Sequence, residues 1–254
     1  SPSLCALPQP RLDPLLLDWN NAGKHLKSWG YEVDENLSDS SCQEIIRFLN
    51  DWKQKINPLY LMVSLPPTFS YPANDTTTKI LKEAVIPFCR DSGLPLALMI
   101  GVKRAVNPSL QLAGDGLGRA DLVALESLCA ENQDVKFLCT VLSRENQQEL
   151  CVIGRKFRNL HIFGCWWFTN IPSIIEEMTR LRLELLGTSF TAQHSDARVL
   201  DQVIYKWNHS RQIMIDVLTD KYTHLSQTGW PLTDQAIQRD VNNLLGAGFE
   251  EFCR

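Results

Sequence analysis

The sequence predicts an α/β protein of the (β/α)8 TIM-barrel type, with extra helices at its C-terminal end. Short apolar, β-prone runs alternate with longer segments of helical periodicity, which is the pattern of a parallel sheet covered by helices. A complete barrel has eight strands and typically takes about 250 residues, whereas only about six strands can be recognised in this chain. We therefore expect one partial barrel domain over residues 1–254 that lacks the first one or two β/α units, with residues 199–254 as a helical extension.

The predicted strands are the β-prone runs at Leu4–Leu7, Leu59–Ser64, Pro95–Val102, Lys136–Leu142, Leu160–Trp166 and Thr188–Gln193. The first of these runs is the weakest. The first and last strands would each leave one edge of the sheet unpaired, and open edges favour pairing with another chain.

The predicted helices between the strands cover Leu15–Trp29, Cys42–Ile56, Lys79–Asp91, Ala120–Asn132, Gln147–Phe157 and Ile171–Leu186. Pro172 is suited to the first turn of its helix, and Gly187 is suited to the C-terminal cap. After the last strand we expect helices at Val199–Thr219, Asp220–Gln227 and Asp234–Phe252.

Charge and cysteine content exclude several classes of protein. The net charge of −4 provides no electrostatic attraction for nucleic acid, and the longest apolar stretch, Leu94–Val102, is too short to span a membrane. None of the eight cysteines forms a CxxC pair, which argues against a zinc ribbon. With no secretory signal visible, we expect a reducing, cytoplasmic location.

The residues suited to chemistry lie at the predicted carboxyl ends of the strands, where barrel enzymes place their active sites. Basic residues occur at four of these ends, namely Arg11, Lys103 with Arg104, Arg144, and Arg198. Because arginine can bind a carboxylate through two parallel hydrogen bonds, a ring of cations around one opening favours an anionic substrate.

The segment His194-Ser195-Asp196-Ala197-Arg198 combines a carboxylate and a guanidinium at the end of the last strand. A carboxylate at this position can bind a metal or transfer a proton. A structural interpretation is equally open, since Ser195 and Asp196 also suit a helix cap. His194 is better explained as a packed residue than as a ligand, and of Trp166 and Trp167 at most one can face the opening.

Several of these motifs together resemble uronate isomerase (glucuronate isomerase), a branch of the amidohydrolase superfamily. The resemblance is carried by Gly164–Phe168, Ile174–Arg180 and His194–Arg198, and is extended by Val63–Phe69 and Leu142–Gln147. It runs from about Arg11 to the C-terminus and covers the C-terminal portion of the family's barrel.

The resemblance implies a metal-dependent aldose–ketose isomerase of glucuronate catabolism that acts on hexuronates. Asp196 matches the family's metal-binding aspartate, and Arg198 matches the arginine that contacts the substrate. Trp166 matches an active-site tryptophan, and Arg11 and Arg104 match substrate-binding basic positions. The implied cofactor is a divalent metal, often zinc. The implied partners are the hexuronate and either further copies of the chain or a missing N-terminal segment.

The chain departs from the family at the metal site, because no His-x-His motif occurs among its five histidines. A zinc site needs about three protein ligands, and Asp196 would be only one of them. The first alternative is therefore a catalytically incomplete remnant that binds a partner chain. A metal-dependent hydrolase of the same superfamily ranks third, because the strand ends near Gly101 and Leu142 lack the histidines that such hydrolases use.

Overall fold

A parallel sheet forms the centre of the computed structural model, which describes residues 9–197 and 199–254. The described strands are β1 (Leu61–Leu65), β2 (Leu96–Ile100), β3 (Val102–Lys103), β4 (Gly116–Leu117), β5 (Phe137–Val141), β6 (Leu160–Phe163) and β7 (Phe190–Thr191). β1, β2, β5, β6 and β7 are parallel neighbours in that order, and β3 and β4 form a separate antiparallel hairpin. The α/β prediction is confirmed, and the sequential order is the one found in barrel folds.

The first predicted strand, Leu4–Leu7, lies outside the described residues. The chain directly after it pairs with β1, where Arg11 forms a parallel bridge with Met62. The Met62 N–H donates to the Pro10 carbonyl at 3.0 Å, and the Leu12 N–H donates to the Met62 carbonyl at 2.8 Å. Residues 10–12 therefore continue the parallel order on the far side of β1.

The helices surround this sheet and are α1 (Asp13–Leu17), α2 (Trp19–Ser28), α3 (Asp39–Ile56), α4 (Thr76–Ile80), α5 (Ile86–Ser92), α6 (Val123–Glu131), α7 (Gln147–Gly154), α8 (Pro172–Leu186), α9 (Leu200–Gln227), α10 (Asp234–Asn242) and α11 (Gly248–Cys253). In the described part of the chain, none of them combines the length and the apolar character needed to cross a membrane. Pro172 occupies the first turn of α8 and Gly187 caps its end with a φ of +62°, as predicted.

Three predicted helix boundaries are wrong. The helix predicted over Leu15–Trp29 is interrupted at Asp18, whose carboxylate caps α2. No break occurs at Asp220, and the chain continues through it as the single helix α9. The helix predicted over Asp234–Phe252 is broken at Gly246, whose φ of +139° separates α10 from α11.

Alternate residues of each strand build the two faces of the sheet. One face packs beneath the helices and is wholly apolar across the aligned row Val63, Leu98, Cys139, Ile162 and Phe190. The opposite, inner face is mixed. It carries the apolar residues Met62, Met99, Leu138 and Phe163 beside the buried polar residues Ser64, Thr140, His161 and Thr191.

Helix α11 packs against the inner face. The ring of Phe252 lies 5.1 Å from the ring of His161, and the ring of Phe249 lies 5.8 Å from that of Tyr60. Tyr60 precedes β1 and His161 is the second residue of β6, so α11 packs against the amino-terminal part of the inner face.

The expectation of an open edge at Thr188–Gln193 is corrected by the C-terminal segment. The Ala192 N–H, directly after β7, donates to the Leu244 carbonyl at 3.2 Å. Leu244 is itself buried in the main core. The edge beyond β7 is therefore met by the turn that joins α10 to α11, since the kink at Gly246 brings this turn back to the sheet.

Candidate functional site

The carboxyl end of β7 lines a cavity of about 290 Å³ on the inner face of the sheet. Gln193, His194, Ser195, Asp196 and Ala197 form one wall of this cavity, and Met62, Met99 and Phe163 form its floor. The predicted segment of the last strand thus lies where its side chains can reach a small ligand. Arg198 lies outside the described residues.

Asp196 adopts a left-handed backbone conformation with a φ of +43°. Aspartate tolerates this conformation better than most residues. The ammonium group of Lys206, on α9, donates to the Ser195 carbonyl at 2.7 Å and to the Asp196 carbonyl at 3.2 Å. Helix α9 therefore holds the backbone of this turn while the Asp196 side chain remains exposed.

Arg11 approaches the same region from residues 10–12. Its Nε and Nη2 atoms donate to the Asp13 carboxylate at 3.1 and 2.9 Å, and Nη2 also donates to the Ser64 hydroxyl at 2.8 Å. The hydrogen bond that Arg11 donates to Asp13 raises the pKa of Arg11, and the charge of Asp196 raises it further. The predicted residues Arg11 and Asp196 are therefore close enough to interact electrostatically.

Gly164, at the end of β6, lies directly against the ring of His194. Its φ is +66°, and a Cβ atom built on it would approach the Cδ2 atom of His194 to 2.0 Å. Its N–H donates to the Thr191 carbonyl at 2.8 Å, which joins the end of β6 to β7. Only glycine satisfies both the conformation and the close approach.

The ring of His194 is packed inside this junction, as predicted, with its centroid 5.2 Å from that of Phe163. Burial, together with the nearby charges of Lys206 and Arg182, lowers the pKa of His194 to about 4. Its Nε2 atom is buried without a hydrogen-bond partner among the described residues. His194 is therefore a neutral residue at neutral pH.

A buried amide network supports the end of β7 from behind. The Gln193 side chain accepts a hydrogen bond from the Cys165 N–H at 3.3 Å. It donates to the side-chain oxygen of Asn170 at 3.1 Å and to the Ser210 hydroxyl at 2.9 Å. The network thereby joins the chain after β6, the chain after β7 and helix α9.

Trp166 is only 4% exposed and packs at the carboxyl end of the inner face with Val102, Leu142 and Phe163. Its neighbour Trp167 is half-buried and stacks on Phe168 with ring centroids 4.6 Å apart. The structure therefore places Trp166 in the apolar layer that adjoins the cavity, and its contact with a substrate stays a prediction.

The remaining predicted cations do not form a ring of available charge. Arg104 binds Asp115 within the β3–β4 hairpin, and the Arg144 guanidinium donates to Glu177 of α8 at 2.9 Å. A carboxylate partner reduces the attraction of an arginine for a further anion. Neither Arg104 nor Arg11 is among the residues that line the cavity, and contact of Arg104 with a substrate stays a prediction.

A divalent metal does not fit the described residues alone. Nowhere in residues 9–197 and 199–254 do three His, Cys, Asp or Glu side chains converge as a metal ion would need. Asp196 is the one carboxylate that lines the cavity. The described part of the chain therefore provides one donor of the kind that the resemblance implies.

Three side chains of the site were not identified from the sequence, namely Ser64, Gln193 and Lys206. Lys206 lies ten residues beyond Asp196 on helix α9, and this spacing gives no signal. Ser64 and Gln193 lie at predicted strand ends, and an inward position on the strand was the only indication available.

Solved structures of uronate isomerases are similar to this chain, which confirms the resemblance predicted from the sequence. A uronate isomerase from Bacillus halodurans superposes with a TM-score of 0.95 and 50% identity, covering 96% of this chain and 58% of that chain. A uronate isomerase from Thermotoga maritima has a TM-score of 0.82 and 15% identity over 98% of this chain and 61% of that chain. A glucuronate isomerase from Caulobacter crescentus has a TM-score of 0.77 and 14% identity over 96% of this chain and 57% of that chain.

The two more distant structures show the shared fold alone, and the first also shares half of the aligned residues. The chain spans less than two thirds of each of these structures. No protein-family model and no curated protein matches it. The matches agree with the predicted barrel-type α/β fold and with a chain that corresponds to a portion of a uronate isomerase.

Proposed function

We propose that this chain forms part of a uronate isomerase and provides one wall of a site for the aldose–ketose interconversion of hexuronates, D-glucuronate to D-fructuronate or D-galacturonate to D-tagaturonate. The observation that carries this proposal is the 50% identity to the Bacillus halodurans uronate isomerase over 96% of the chain, with a TM-score of 0.95.

The arrangement of the cavity supports this chemistry. Aldose–ketose interconversion moves a proton between C2 and C1 through an enediol, and it needs a base, a group that stabilises the enediolate oxygen and an anchor for the remote carboxylate. Asp196 is suited to hold or move a proton because its side chain is exposed at the cavity wall. Arg198 would stabilise the developing oxyanion.

Arg11 is the better of the two proposed carboxylate anchors. Asp13 and Ser64 hold its Nε and Nη2 atoms, and its guanidinium is within electrostatic reach of Asp196 at the cavity wall. Arg104 instead forms an ion pair with Asp115 within the hairpin. Trp166 would provide an apolar surface at the carboxyl end of the inner face.

We propose that the metal expected from the resemblance, zinc or another divalent ion, takes Asp196 as one donor and its other donors from polypeptide outside the described residues. This polypeptide is an N-terminal segment with a His-x-His pair or a further copy of the chain. A cytoplasmic location and membership of the amidohydrolase superfamily belong to the same proposal.

A second candidate function is favoured by the absence of a three-donor cluster among the described residues. In this alternative, the chain is a catalytically incomplete remnant that folds with a partner. The two functions differ in whether a complementary polypeptide restores catalysis, and this difference defines the experiment.

The experiment combines the purified chain with the part of the Bacillus halodurans uronate isomerase that the chain does not match. Proton NMR of D-glucuronate in D2O follows both the appearance of fructuronate and the loss of the C2 proton signal. We expect turnover in the mixture, none with either part alone, and loss of turnover with the Asp196→Asn chain. A mixture that co-purifies as a stable complex yet leaves D-glucuronate unchanged would reject the isomerase and support the remnant.

A further inference from the structure

Arg182 of α8 is an unusual buried cation. Its side chain is 1% exposed and is the largest among the fully buried residues. Within the described part of the chain, no carboxylate forms an ion pair with it. Burying a charge is unfavourable unless polar groups compensate it, so the groups around Arg182 indicate what it holds in place.

The compensating groups are oxygens at the carboxyl ends of the strands. Nη1 of Arg182 donates to the Gly164 carbonyl at 2.8 Å, directly after β6. Nη2 donates to the side-chain oxygen of Gln147 at 3.2 Å. The Gln147 amide in turn donates to the Val141 and Ser143 carbonyls, each at 3.1 Å, at the end of β5.

The same contacts continue to β7. Gly164 lies against the His194 ring with no room for a Cβ atom, and its N–H is bonded to the Thr191 carbonyl. The guanidinium carbon of Arg182 also lies 5.9 Å from the ring centroid of Phe190, in β7. One side chain on the helix side of the sheet thus contacts the end of β6 and Phe190 of β7 directly, and reaches the end of β5 through Gln147.

We propose that Arg182 is a positioning residue that fixes the ends of β5, β6 and β7 relative to one another, and through Gly164 and His194 sets the place of the Asp196 turn. A methionine of similar length would fill the same space without the cost of a buried charge, since apolar replacement of buried ionic groups is often neutral or stabilising. The geometry that Arg182 provides is directional, because its planar guanidinium holds two acceptors in a fixed arrangement. The catalytic part of this inference rests on the proposed function.

The first experiment compares Arg182→Met with Arg180→Met in the 254-residue chain. Arg180 lies on the same helix but forms ion pairs with Glu176 and Asp220 at the surface, so it is a matched control. Hydrogen exchange measured by NMR reports on the amides of residues 164–170 and, as a reference, on those of β2. We expect at least tenfold faster exchange at residues 164–170 in Arg182→Met alone, with β2 unchanged.

The second experiment measures kcat and KM for D-glucuronate after complementation. We expect Arg182→Met to lower kcat at least tenfold with KM changed less than threefold, Arg182→Lys to recover part of kcat, and Arg180→Met to match the unmodified chain. Gln147→Met removes one acceptor of the same arrangement and should change exchange and kcat in the same direction. If Arg182→Met does not fold, Gln147→Met and Arg182→Lys test the positioning role in its place.

The outcomes separate this inference from the proposed function. Unaltered exchange at residues 164–170 in Arg182→Met, or in Gln147→Met where Arg182→Met does not fold, overturns the positioning role. An increase in exchange that is uniform over the sheet overturns it as well, because it indicates a general loss of stability. A complemented protein that is inactive with every chain overturns the proposed function, while the exchange measurements still decide on Arg182.

Discussion

Two regions at the same edge of one parallel sheet are stabilised by different kinds of contact. One region is the carboxyl ends of β6 and β7, and the other is the carboxyl end of β2. Behind β6 and β7, Arg182 of α8 and Lys206 of α9 bind backbone carbonyls of the site from separate helices. Beyond β2, Arg104 binds Asp115, eleven residues away within the same exposed hairpin. Side chains from separate helices therefore hold the β6–β7 end, whereas the Arg104 side chain at the β2 end binds within its own hairpin.

This difference indicates where small changes will matter. At the β6–β7 end, buried groups such as Gly164 and His194 are in direct contact, so a displacement is transmitted to Asp196. At the β2 end, Arg104 is exposed and a lost ion pair is replaced by water, since exposed ion pairs contribute little to stability. Substitutions at matched positions of the two ends test this contrast.

The largest effect is expected on catalysis from Asp196→Asn, with Asp115→Asn as the control at the β2 end. Loss of a group that transfers a proton lowers kcat by about 10²–10⁴-fold. Asp115 binds Arg104 and the Ala105 N–H within its own hairpin, so its variant should retain kcat within about threefold. The NMR assay of the complemented chain measures both. Near-normal turnover by Asp196→Asn would show that Asp196 acts as a helix cap and not in catalysis.

The next effect concerns stability and compares Gly164→Ala with Gly93→Ala. The two glycines have similar positive φ values, +66° and +70°, but a Cβ atom would meet His194 at 2.0 Å in the first and nothing within 4 Å in the second. Backbone strain alone costs about 1–2 kcal/mol, which both variants share. The clash adds to this, and we expect Gly164→Ala to lose about 3 kcal/mol or more in total. Urea unfolding measures the free energies, and equal losses would contradict the packing at the β6–β7 junction.

Acid pH should destabilise the β6–β7 pair of strands through His161, which lies in β6. Burial lowers the pKa of this histidine to about 4, with a smaller contribution from the positive charge of Arg182. A folded-state pKa below the unfolded value favours the neutral ring in the folded protein, so its contribution is present above about pH 6.5 and is lost as the pH falls toward 4. The loss reaches about 3 kcal/mol at pH 4.

The measurement is urea unfolding between pH 7 and pH 4 for the unmodified chain and for His161→Gln. Glutamine keeps a polar group opposite the Thr191 hydroxyl, which lies 2.8 Å from Nε2 of the histidine, but does not titrate. We expect the variant to show a smaller loss of stability over this range. Identical pH dependence in the two proteins would assign the acid sensitivity to other groups.

The contrast between the two ends also explains what the sequence could predict. Strand positions were predicted to within a few residues because apolar, β-prone runs are a local signal, and β5 and β6 fall inside the predicted ranges. Helix boundaries were predicted less well. A helix was predicted to begin at Asp220, but α9 continues through this residue, whose carboxylate binds Arg180, forty residues away.

The candidate site follows the same division. Asp196 and Arg11 were identified because motifs mark them, and the structure brings them near each other. Lys206 and Arg182 were not identified, since each binds backbone carbonyls, which no sequence pattern reveals. The partner of Arg144 was not identified for a related reason, because the Glu177 carboxylate that pairs with it comes from another helix, thirty-three residues away.

The smallest effect is expected from Lys206→Met, with Lys221→Met as the control. Both lysines lie on α9, but Lys206 binds the Ser195 and Asp196 carbonyls whereas Lys221 pairs with Glu184 of α8. Hydrogen bonds to charged groups contribute about 1.5–3 kcal/mol, and partial exposure of Lys206 reduces this, so we expect a loss of about 1 kcal/mol in stability. Because Asp196 would lose the contact that holds its left-handed turn, kcat should fall about tenfold, which corresponds to about 1.4 kcal/mol. Lys221→Met should leave kcat unchanged, and an equal fall in both variants would show that α9 acts on the site through its general stability rather than through the Lys206 contact.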